Sequence, residues 1–368
     1  MVRVLGLSPA PIEAAATRYR MAQFVAPLAE NGIDLQIRPF LNKEEFTGLY
    51  KNKSILKAAS EMAVPILRRI SETLSSRRYD ILFVQREAMM FGPAVFEWIF
   101  QKFGSLPLIL DLDDATYIPY ISPTHGKIGS LFKFFGKTDR MIKRAETVIC
   151  GNRFIAEYVE KKGTEAIVIP TVVDTDEFFP LEKNNEIPVV GWIGTHSTFP
   201  FLQTLFPVLQ KLAEKHRFVL KIVGAGVDRV ELEGVTVENL SWNLEREISD
   251  FQSLDIGLYP ITVSATHPDE WLLGKSGFKA IQYLALGTPF VMTPVGVCAE
   301  IGEPGQTHFN AANPEDWYNN LDKLLTDENL RKRMGKAGRR VSLRDYTIGA
   351  QLEKLENALR KVYERRLI

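Results

Sequence analysis

The stretch Asp269-Glu-Trp-Leu-Leu-Gly-Lys-Ser-Gly-Phe-Lys-Ala-Ile-Gln-Tyr-Leu-Ala-Leu-Gly-Thr-Pro-Phe-Val-Met-Thr-Pro-Val-Gly296 holds the clearest succession of structural signals in the chain. It predicts a polar loop and then a helix, because apolar residues recur at helical spacing from Phe278 to Leu284. Gly287 predicts the end of that helix, and the apolar run from Pro289 predicts a buried strand. A helix that leads into a buried strand is the repeating unit of an α/β fold with a parallel sheet.

The same stretch predicts an anion site. The start of a helix offers unpaired N–H groups and the positive end of the helix dipole, and the ammonium groups of Lys275 and Lys279 belong to the same part of the chain. Together these features favour a phosphate or diphosphate. An ordinary amphipathic helix with solvated lysines explains the same residues equally well.

Length and composition limit the classes of protein and partner. With 368 residues the chain exceeds the size at which one hydrophobic core stops growing, so we expect two domains. The 45 Lys and Arg residues equal the 45 Asp and Glu residues in number, which predicts no nucleic-acid partner. Cys150 and Cys298 are expected to be buried, reduced thiols. The five histidines lack the spacing of metal ligands, so the sequence predicts neither a metal site nor a cofactor.

The hydropathy of the chain predicts a cytoplasmic protein. The N-terminal residues lack the long apolar core of a signal peptide. No apolar run reaches the roughly 18 residues that a membrane-spanning helix needs. We therefore expect a protein that does not span a membrane.

Strand and helix signals alternate along the whole chain, which predicts parallel βαβ units. Residues 1–180 are expected to form a first Rossmann-like domain, followed by a linker rich in Pro and Asn. The alternation restarts at 187 and predicts a second Rossmann-like domain over 187–345. A helix over 346–368 follows, which could pack back on the first domain. Two such domains in series predict a two-lobed molecule with a cleft between them.

Candidate ligand-binding residues of the first half follow predicted strands. Ser8 follows the first strand, and Arg18 and Arg20 lie in the first turns of the next helix. Asp113 and Asp114 end a later strand, at the edge where ligands bind in open α/β sheets. Solvated helix residues and capping carboxylates are the plain alternatives for these arginines and acids.

Glycines mark the strand ends of the second half. Gly194 and Thr195 follow its first strand, and Gly224 and Gly226 follow its second. These glycines are typical of close backbone approach to a ligand, although a tight turn explains a single Gly-x-Gly as well. Tyr259, at the end of a later strand, completes the candidate donor side.

The order of these motifs resembles the GT-B glycosyltransferases and, within them, the large retaining family 4. Val168-Ile-Pro-Thr-Val-Val-Asp-Thr-Asp-Glu-Phe-Phe-Pro180 is similar to the segment that joins the family's two domains. Val189-Val-Gly-Trp-Ile-Gly-Thr195 and Leu220-Lys-Ile-Val-Gly-Ala-Gly226 resemble the first strands of its donor domain, and Leu286-Gly-Thr-Pro-Phe-Val291 resembles a later one. The resemblance implies a GT-B fold, in which two Rossmann-like domains face each other across a cleft.

The chain departs from the family pattern at two positions. Gly274 and Gln282 stand where the family usually has two glutamates separated by seven residues. The resemblance gives the second glutamate a role in holding the donor ribose, which the amide of Gln282 can also do. We interpret the stretch as a variant active site, with Asp269 or Glu270 as substitute acids beside Lys275.

The resemblance therefore implies a glycosyltransferase that moves a sugar from a UDP- or GDP-sugar to an acceptor hydroxyl, with retention and without metal, in polysaccharide or glycolipid assembly. Lys279 and Gln282 belong to the implied donor site, and the acceptor is a carbohydrate or a lipid-linked molecule. An epimerase is a second hypothesis. A catalytically inert scaffold or nucleotide-sugar binding protein derived from a transferase is a third, motivated by the two missing glutamates.

The segment 125–145 predicts a peripheral contact with the inner face of a membrane. It interleaves phenylalanines with lysines and arginines, a composition typical of interfacial elements that meet anionic lipids. A helix whose phenylalanines pack into the domain is the alternative.

Overall fold

A computed structural model describes residues 1–51, 60–121, 126–183, 185–262 and 268–367. The chain divides into two compact units. The first holds Met1–Thr171, Ser264–Ser276 and Ile348–Ile368, as far as these ranges are described. The second holds Val172–Val263 and Gly277–Thr347 with the same restriction. The chain thus leaves the second unit before 268 and returns to it at Gly277.

The first unit is built on a six-stranded parallel sheet. Its strands are β1 (Val2–Ser8), β2 (Ile33–Pro39), β3 (Ile81–Gln85), β4 (Leu108–Leu112), β5 (Thr147–Cys150) and β6 (Ala166–Val168). They lie in the order β2-β1-β3-β4-β5-β6. β3, β4 and β5 are buried along their whole length, since apolar residues occupy both faces and helices cover them. The order reverses direction between β1 and β3, which is where open α/β sheets bind ligands.

Helices connect these strands. They are α1 (Ala15–Arg20), α2 (Val25–Glu30), α3 (Lys43–Lys51), α4 (Ala63–Leu74), α5 (Val95–Gly104), α6 (Gly126–Lys133), α7 (Lys137–Ile142) and α8 (Arg153–Lys161). The short helix α12 (Asp269–Leu273) and the long C-terminal helix α16 (Ile348–Leu367) complete the unit.

The C-terminal helix α16 is held to the first unit by hydrogen bonds from its polar side chains. Arg366 donates to the carbonyl oxygen of Asp80 at 2.6 Å, next to the start of β3. Arg360 donates to the carbonyl of Asn31 at 2.5 Å, just after α2. Leu355, Leu359 and other apolar residues on its inner face are fully buried.

The second unit contains another six-stranded parallel sheet. Its strands are β7 (Val189–Ile193), β8 (Val219–Val223), β9 (Thr236–Leu240), β10 (Ile256–Tyr259), β11 (Phe290–Met292) and β12 (Phe309–Asn310). They lie in the order β12-β11-β10-β7-β8-β9, and the order reverses direction between β7 and β10. The carboxyl ends of those two strands are therefore the expected ligand-binding point of this unit.

The helices of the second unit cover both faces of its sheet. They are α9 (Phe199–Gln203), α10 (Phe206–Ala213), α11 (Glu247–Gln252), α13 (Phe278–Ala285), α14 (Pro314–Thr326) and α15 (Glu328–Asp345). One apolar core joins the sheet to α9, α10 and α14. Arg339 of α15 fastens the start of the unit, because its guanidinium donates to the carbonyls of Thr175 and Phe178 at 2.9 Å and 2.5 Å.

Candidate active site

Glycines form the carboxyl edge of the second sheet. Gly224 follows β8 with φ +85°, and a Cβ added there would lie 2.3 Å from the carbonyl oxygen of Gly194. Gly226 has φ +74°, and its Cβ would lie 2.6 Å from the Cβ of His196. Contacts this short exclude every residue with a side chain unless the backbone moves. The loops after β7 and β8 consequently present backbone at Gly194, Gly224 and Gly226.

Hydroxyl groups and one aromatic ring flank this glycine edge. The exposed Thr195 accepts or donates a hydrogen bond between its hydroxyl and that of Ser197 at 2.8 Å, and its N–H donates to the hydroxyl of Thr198. Tyr259 ends β10, the strand next to β7 at the reversal of strand order. The carbonyl of Tyr259 accepts from the N–H of Thr293 at 3.2 Å, which ties β10 to the loop after β11.

Lys279 and Gln282 meet on the first turns of α13. The ammonium of Lys279 donates to the Oε1 of Gln282 at 3.3 Å and lies 4.9 Å from the ring centroid of Phe251. The side chain of Gln282 is fully buried, and its Nε2 has no hydrogen-bond partner among the described residues. A buried amide donor without an acceptor is costly, so a ligand oxygen brought to it would be stabilised.

The carboxyl edge of the first sheet is built from charged side chains. Arg86 follows β3 with φ +59°, a conformation that few residues with a side chain adopt. Its guanidinium donates to both carboxylate oxygens of Asp113 at 2.5 Å and 2.6 Å, and to Asp114 at 2.9 Å. Burial alone would raise the pKa of Asp113, but the charge and hydrogen bonds of Arg86 outweigh burial and lower that pKa.

Arg86 is a residue that the sequence reasoning missed. Arg86 directly follows the buried strand β3, much as Asp113 and Asp114 follow β4. This shared position at a strand end is the feature of the sequence that could have identified Arg86 as a candidate. Both carboxylates are paired with the same guanidinium.

The other candidates of the first unit are held by local contacts. The hydroxyl of the buried Ser8 donates to the carbonyl of Ala10 at 2.9 Å. Arg18 donates to the carbonyl of Glu13 at 2.7 Å and stacks over the ring of Tyr19.

Arg20 belongs to the interior of the first unit. Its side chain is 3% exposed and forms a salt bridge with Asp111, with 2.5 Å between Nη2 and Oδ1. Nη1 also donates to the carbonyl of Ile169 at 2.7 Å. The alternative of a solvated helix residue is therefore excluded for Arg20.

The three candidate catalytic residues lie in the part of the first unit that follows the undescribed 263–267. Asp269 and Glu270 are exposed in the first turn of α12. Lys275 follows α12, is half-buried, and places its ammonium 3.4 Å from the ring centroid of Trp271.

Segment 125–145 folds as α6 and α7, and His125 lies outside the described residues. Leu131, Phe132 and Phe134 are 76%, 50% and 50% exposed, whereas Met141 is buried. Lys137 is buried as well, in a 2.5 Å salt bridge with Glu87. The basic side chains exposed in this segment are those of Lys127, Arg140, Lys143 and Arg144.

Neither a membrane-spanning helix nor a group of metal ligands occurs among the described residues. None of the helices described here is both long and apolar enough to cross a membrane. Across the same residues, no three His, Cys, Asp or Glu side chains are grouped as ligands for a metal ion.

Residues 174–341 match the model of a protein family described as Glycosyl transferases group 1. No curated protein matches the sequence. Similar solved structures span almost the whole chain. Sucrose-phosphate synthase from Thermosynechococcus elongatus has 13% identity and a TM-score of 0.70, over 99% of this chain and 100% of its own.

Two further structures give the same result. A glycosyltransferase from Rickettsia africae ESF-5 has 15% identity and a TM-score of 0.67, over 98% of both chains. Alr3699/HepE of Anabaena, solved in complex with UDP-glucose, has 14% identity and a TM-score of 0.63, over 98% of this chain and 100% of its own. The chain therefore has the GT-B fold with two Rossmann-like domains, and the family match supports a GT-B glycosyltransferase.

Proposed function

We propose that the protein transfers a sugar from a nucleotide-sugar donor to an acceptor hydroxyl, in the assembly of a polysaccharide or glycolipid. The donor is a UDP- or GDP-sugar. Transfer proceeds with retention of configuration and without a metal ion, as expected of retaining family 4. The protein acts in the cytoplasm.

The glycine edge of the second sheet is the observation that carries this proposal. Gly194, Gly224 and Gly226 leave no room for side chains, so a ligand can approach the backbone closely. They follow β7 and β8, and β7 borders the reversal of strand order. The same residues lie within the 174–341 region that matches the glycosyltransferase family.

The departing diphosphate needs positive charge, which Lys275 and Lys279 are proposed to supply. Three residues separate these two lysines in the sequence. Gln282 is proposed to donate its spare Nε2 hydrogen to a ribose oxygen. Asp269 and Glu270 are the candidate acids near the sugar, and their exposure leaves them accessible.

A ligand screen followed by an activity assay tests the proposal. UDP-, GDP- and ADP-sugars are added to the purified protein, and the true donor at about 100 times its Kd should stabilise the fold by about 2.7 kcal/mol. Release of nucleotide from that donor should persist in EDTA, and the anomeric proton of the product should show the donor's configuration by NMR. Lys275→Ala should lose this activity while its Tm stays near that of the wild type.

A catalytically inert nucleotide-sugar binding protein is the second candidate. It is favoured by the residues at 274 and 282, a glycine and an amide, neither of which can act as an acid. Tight donor binding without nucleotide release in any condition would support it over the transferase.

The acceptor is proposed to be a carbohydrate or a lipid-linked molecule, bound with polar residues of the first unit and presented at a membrane. Leu131, Phe132 and Phe134 form an exposed apolar group beside the exposed lysines and arginines of 126–144. Wild type should sediment with anionic vesicles, and the Leu131→Ser/Phe132→Ser variant should not. Equal sedimentation of the two proteins would contradict the membrane contact.

A further inference from the structure

The loop that carries Lys275 is docked on the first unit at three places. Trp271 packs against the apolar core of that unit. Asp114 accepts a hydrogen bond from the N–H of Ser276 at 3.3 Å. Asn152 donates from Nδ2 to the carbonyls of Gly274 and Lys275, at 3.3 Å and 3.2 Å. All of these residues belong to the first unit.

Asn152 uses both ends of its amide. Its Oδ1 accepts from the N–H of Ile155 at 2.9 Å and so caps the start of α8. Its Nδ2 holds the two loop carbonyls, and the side chain is 1% exposed. Serine or aspartate would satisfy the helix equally well. Only the amide nitrogen gives asparagine an advantage at this position.

Gly274 fits the same docking arrangement. Its φ of −85° is open to any residue, so backbone conformation does not require glycine here. A Cβ at this position would lie 2.2 Å from the Cβ of Ala115, a core residue that is 1% exposed. The carbonyls of Gly274 and Lys275 reach Asn152 only because Gly274 has no side chain that would hold the loop away from Ala115.

We propose that Asn152 is a positioning residue for Lys275, acting through the carbonyls of Gly274 and Lys275. This inference rests on the proposed function, in which the Lys275 ammonium meets the donor diphosphate. The Oδ1 of Asn152 anchors the side chain to α8. Its Nδ2 then fixes the distance between the loop that carries Lys275 and the carboxyl end of β5. Ala115 and Asp114 fix the same loop from β4, the neighbouring strand.

Asn152→Asp separates the two jobs of the side chain. The aspartate keeps an oxygen for the N–H of Ile155, but it loses both donors and turns a carboxylate oxygen toward the loop carbonyls. We expect turnover of the donor to fall at least tenfold, and up to about a hundredfold for a displacement near 1 Å. The matched control is Asn42→Asp, since the exposed Asn42 caps α3 by accepting from the N–H of Glu45 at 2.8 Å. The control should keep wild-type turnover and Tm.

Hydrogen exchange gives a readout that does not depend on activity. The N–H of Ser276 should exchange faster in Asn152→Asp than in wild type, while amides of α8 should not. Unchanged exchange at Ser276 together with unchanged turnover would overturn the proposal. Faster exchange across α8, with turnover lost only in proportion to unfolding, would reduce Asn152 to a helix cap and overturn it too.

A second pair of variants covers the case in which Asn152→Asp does not fold. Gly274→Ala should lower turnover at least tenfold, because the new methyl group pushes the loop away from Ala115. Adding Ala115→Gly removes the atom that lies 2.2 Å away and should restore part of the turnover and the slow exchange of Ser276. A double variant no better than Gly274→Ala would contradict the docking.

The proposed function can fail separately. If Lys275→Ala retains wild-type turnover, Lys275 has no role with the diphosphate, whatever the exchange of Ser276 shows. If Lys275→Ala is inactive while Asn152→Asp is fully active, the function stands and the positioning role is wrong.

Discussion

The carboxyl edges of the two sheets differ in what lines them. In the first unit the edge is closed by side chains, with Arg86 paired to Asp113 and Asp114. In the second unit the edge is formed by the backbone of glycines. A Cβ added at Gly224 would lie only 2.3 Å from the carbonyl oxygen of Gly194. The same kind of sheet thus carries an edge of paired charges in one unit and an edge open to close approach in the other.

The difference indicates a division of labour. Because Arg86 lowers the pKa of Asp113, this carboxylate is a weak base and is better suited to hold structure than to accept a proton. At Gly194, Gly224 and Gly226 no side chain has to move aside, which suits a bulky nucleotide. The variants below test this contrast, beginning with the largest expected effect.

Gly224→Ala attacks the backbone edge directly. At φ +85° the new Cβ meets the carbonyl oxygen of Gly194 at 2.3 Å, so the loop must move. We expect a loss of about 4 kcal/mol in the free energy of unfolding, the size typical of severe steric changes, together with loss of nucleotide binding. The control is Gly234→Ala, where φ is +76° and nothing lies within 4 Å. It should cost only about 1 kcal/mol, the penalty of the left-handed conformation. Urea unfolding measures the free energy of unfolding of both variants. Equal losses in the two would show that the positive φ, and not the contact with Gly194, causes the destabilisation.

Arg86→Ala attacks the charged edge. Asp113, whose side chain is 8% exposed, would lose its bidentate partner, and breaking such a buried pair costs about 3 kcal/mol. Arg86→Lys keeps the charge but not the paired donors, so its loss should be smaller. Urea unfolding at pH 7 ranks the three proteins. If Arg86→Ala and Arg86→Lys are equally stable, the paired N–H donors of the guanidinium do not contribute to the stability of this edge.

Acid should weaken the second unit before it weakens the charged edge of the first. Burial lowers the pKa of His308 to about 4, and its ring stacks on Phe290 with 4.9 Å between centroids. Because the folded-state pKa lies below the unfolded value, His308 stabilises fully above pH 6.5, and this stability is lost as pH falls toward 4. Between pH 7 and pH 5 the loss is about 2 kcal/mol. The Asp113 contribution, from a lowered carboxyl pKa, disappears only below the ordinary range of an aspartate.

Urea unfolding at pH 7 and pH 5 measures this acid effect, with His308→Gln as the comparison. The variant should lose less stability between the two pH values than the wild type does. A variant with the same pH dependence as wild type would assign the effect to other groups.

Gln282→Leu should have the smallest effect. It removes the buried Nε2 donor and the acceptor of Lys279, and we expect affinity for UDP or GDP to fall about tenfold, or about 1.4 kcal/mol. Gln282→Glu keeps an acceptor 3.3 Å from Lys279, and its second carboxylate oxygen can accept a hydrogen bond from a ribose hydroxyl, so it should bind nearly as well as wild type. Titration calorimetry measures both variants. An unaltered affinity in the leucine variant would place the ribose elsewhere.

The α/β class and the two Rossmann-like domains are confirmed, since regular alternation of apolar strands and amphipathic helices is a local property of the sequence. Their position after predicted strands also identified Gly194, Gly224 and Gly226 as candidate ligand-binding residues. Sequence position could not give the partner of Asp113, because Arg86 lies 27 residues earlier and meets it only when β3 and β4 pair.

Position 274 shows where local reasoning ends. The sequence shows a glycine in place of an acidic residue and leaves two interpretations, a variant site or an inert one. The structure gives a physical reason for a glycine at this position, which is that no space for a side chain remains between Gly274 and Ala115. Residues separated by 159 positions in the chain cannot reveal such a contact without the fold that joins them.

By itself the sequence determined the element pattern, the parallel sheets and the set of polar residues at strand ends, because each depends on periodicity and on residues a few positions apart. Tertiary structure alone decided which of those residues are paired, buried or docked. Arg20 became part of an interior salt bridge, and Asn152 acquired two loop carbonyls. Both outcomes depend on distances between atoms that are remote in the chain, and only packing sets those distances.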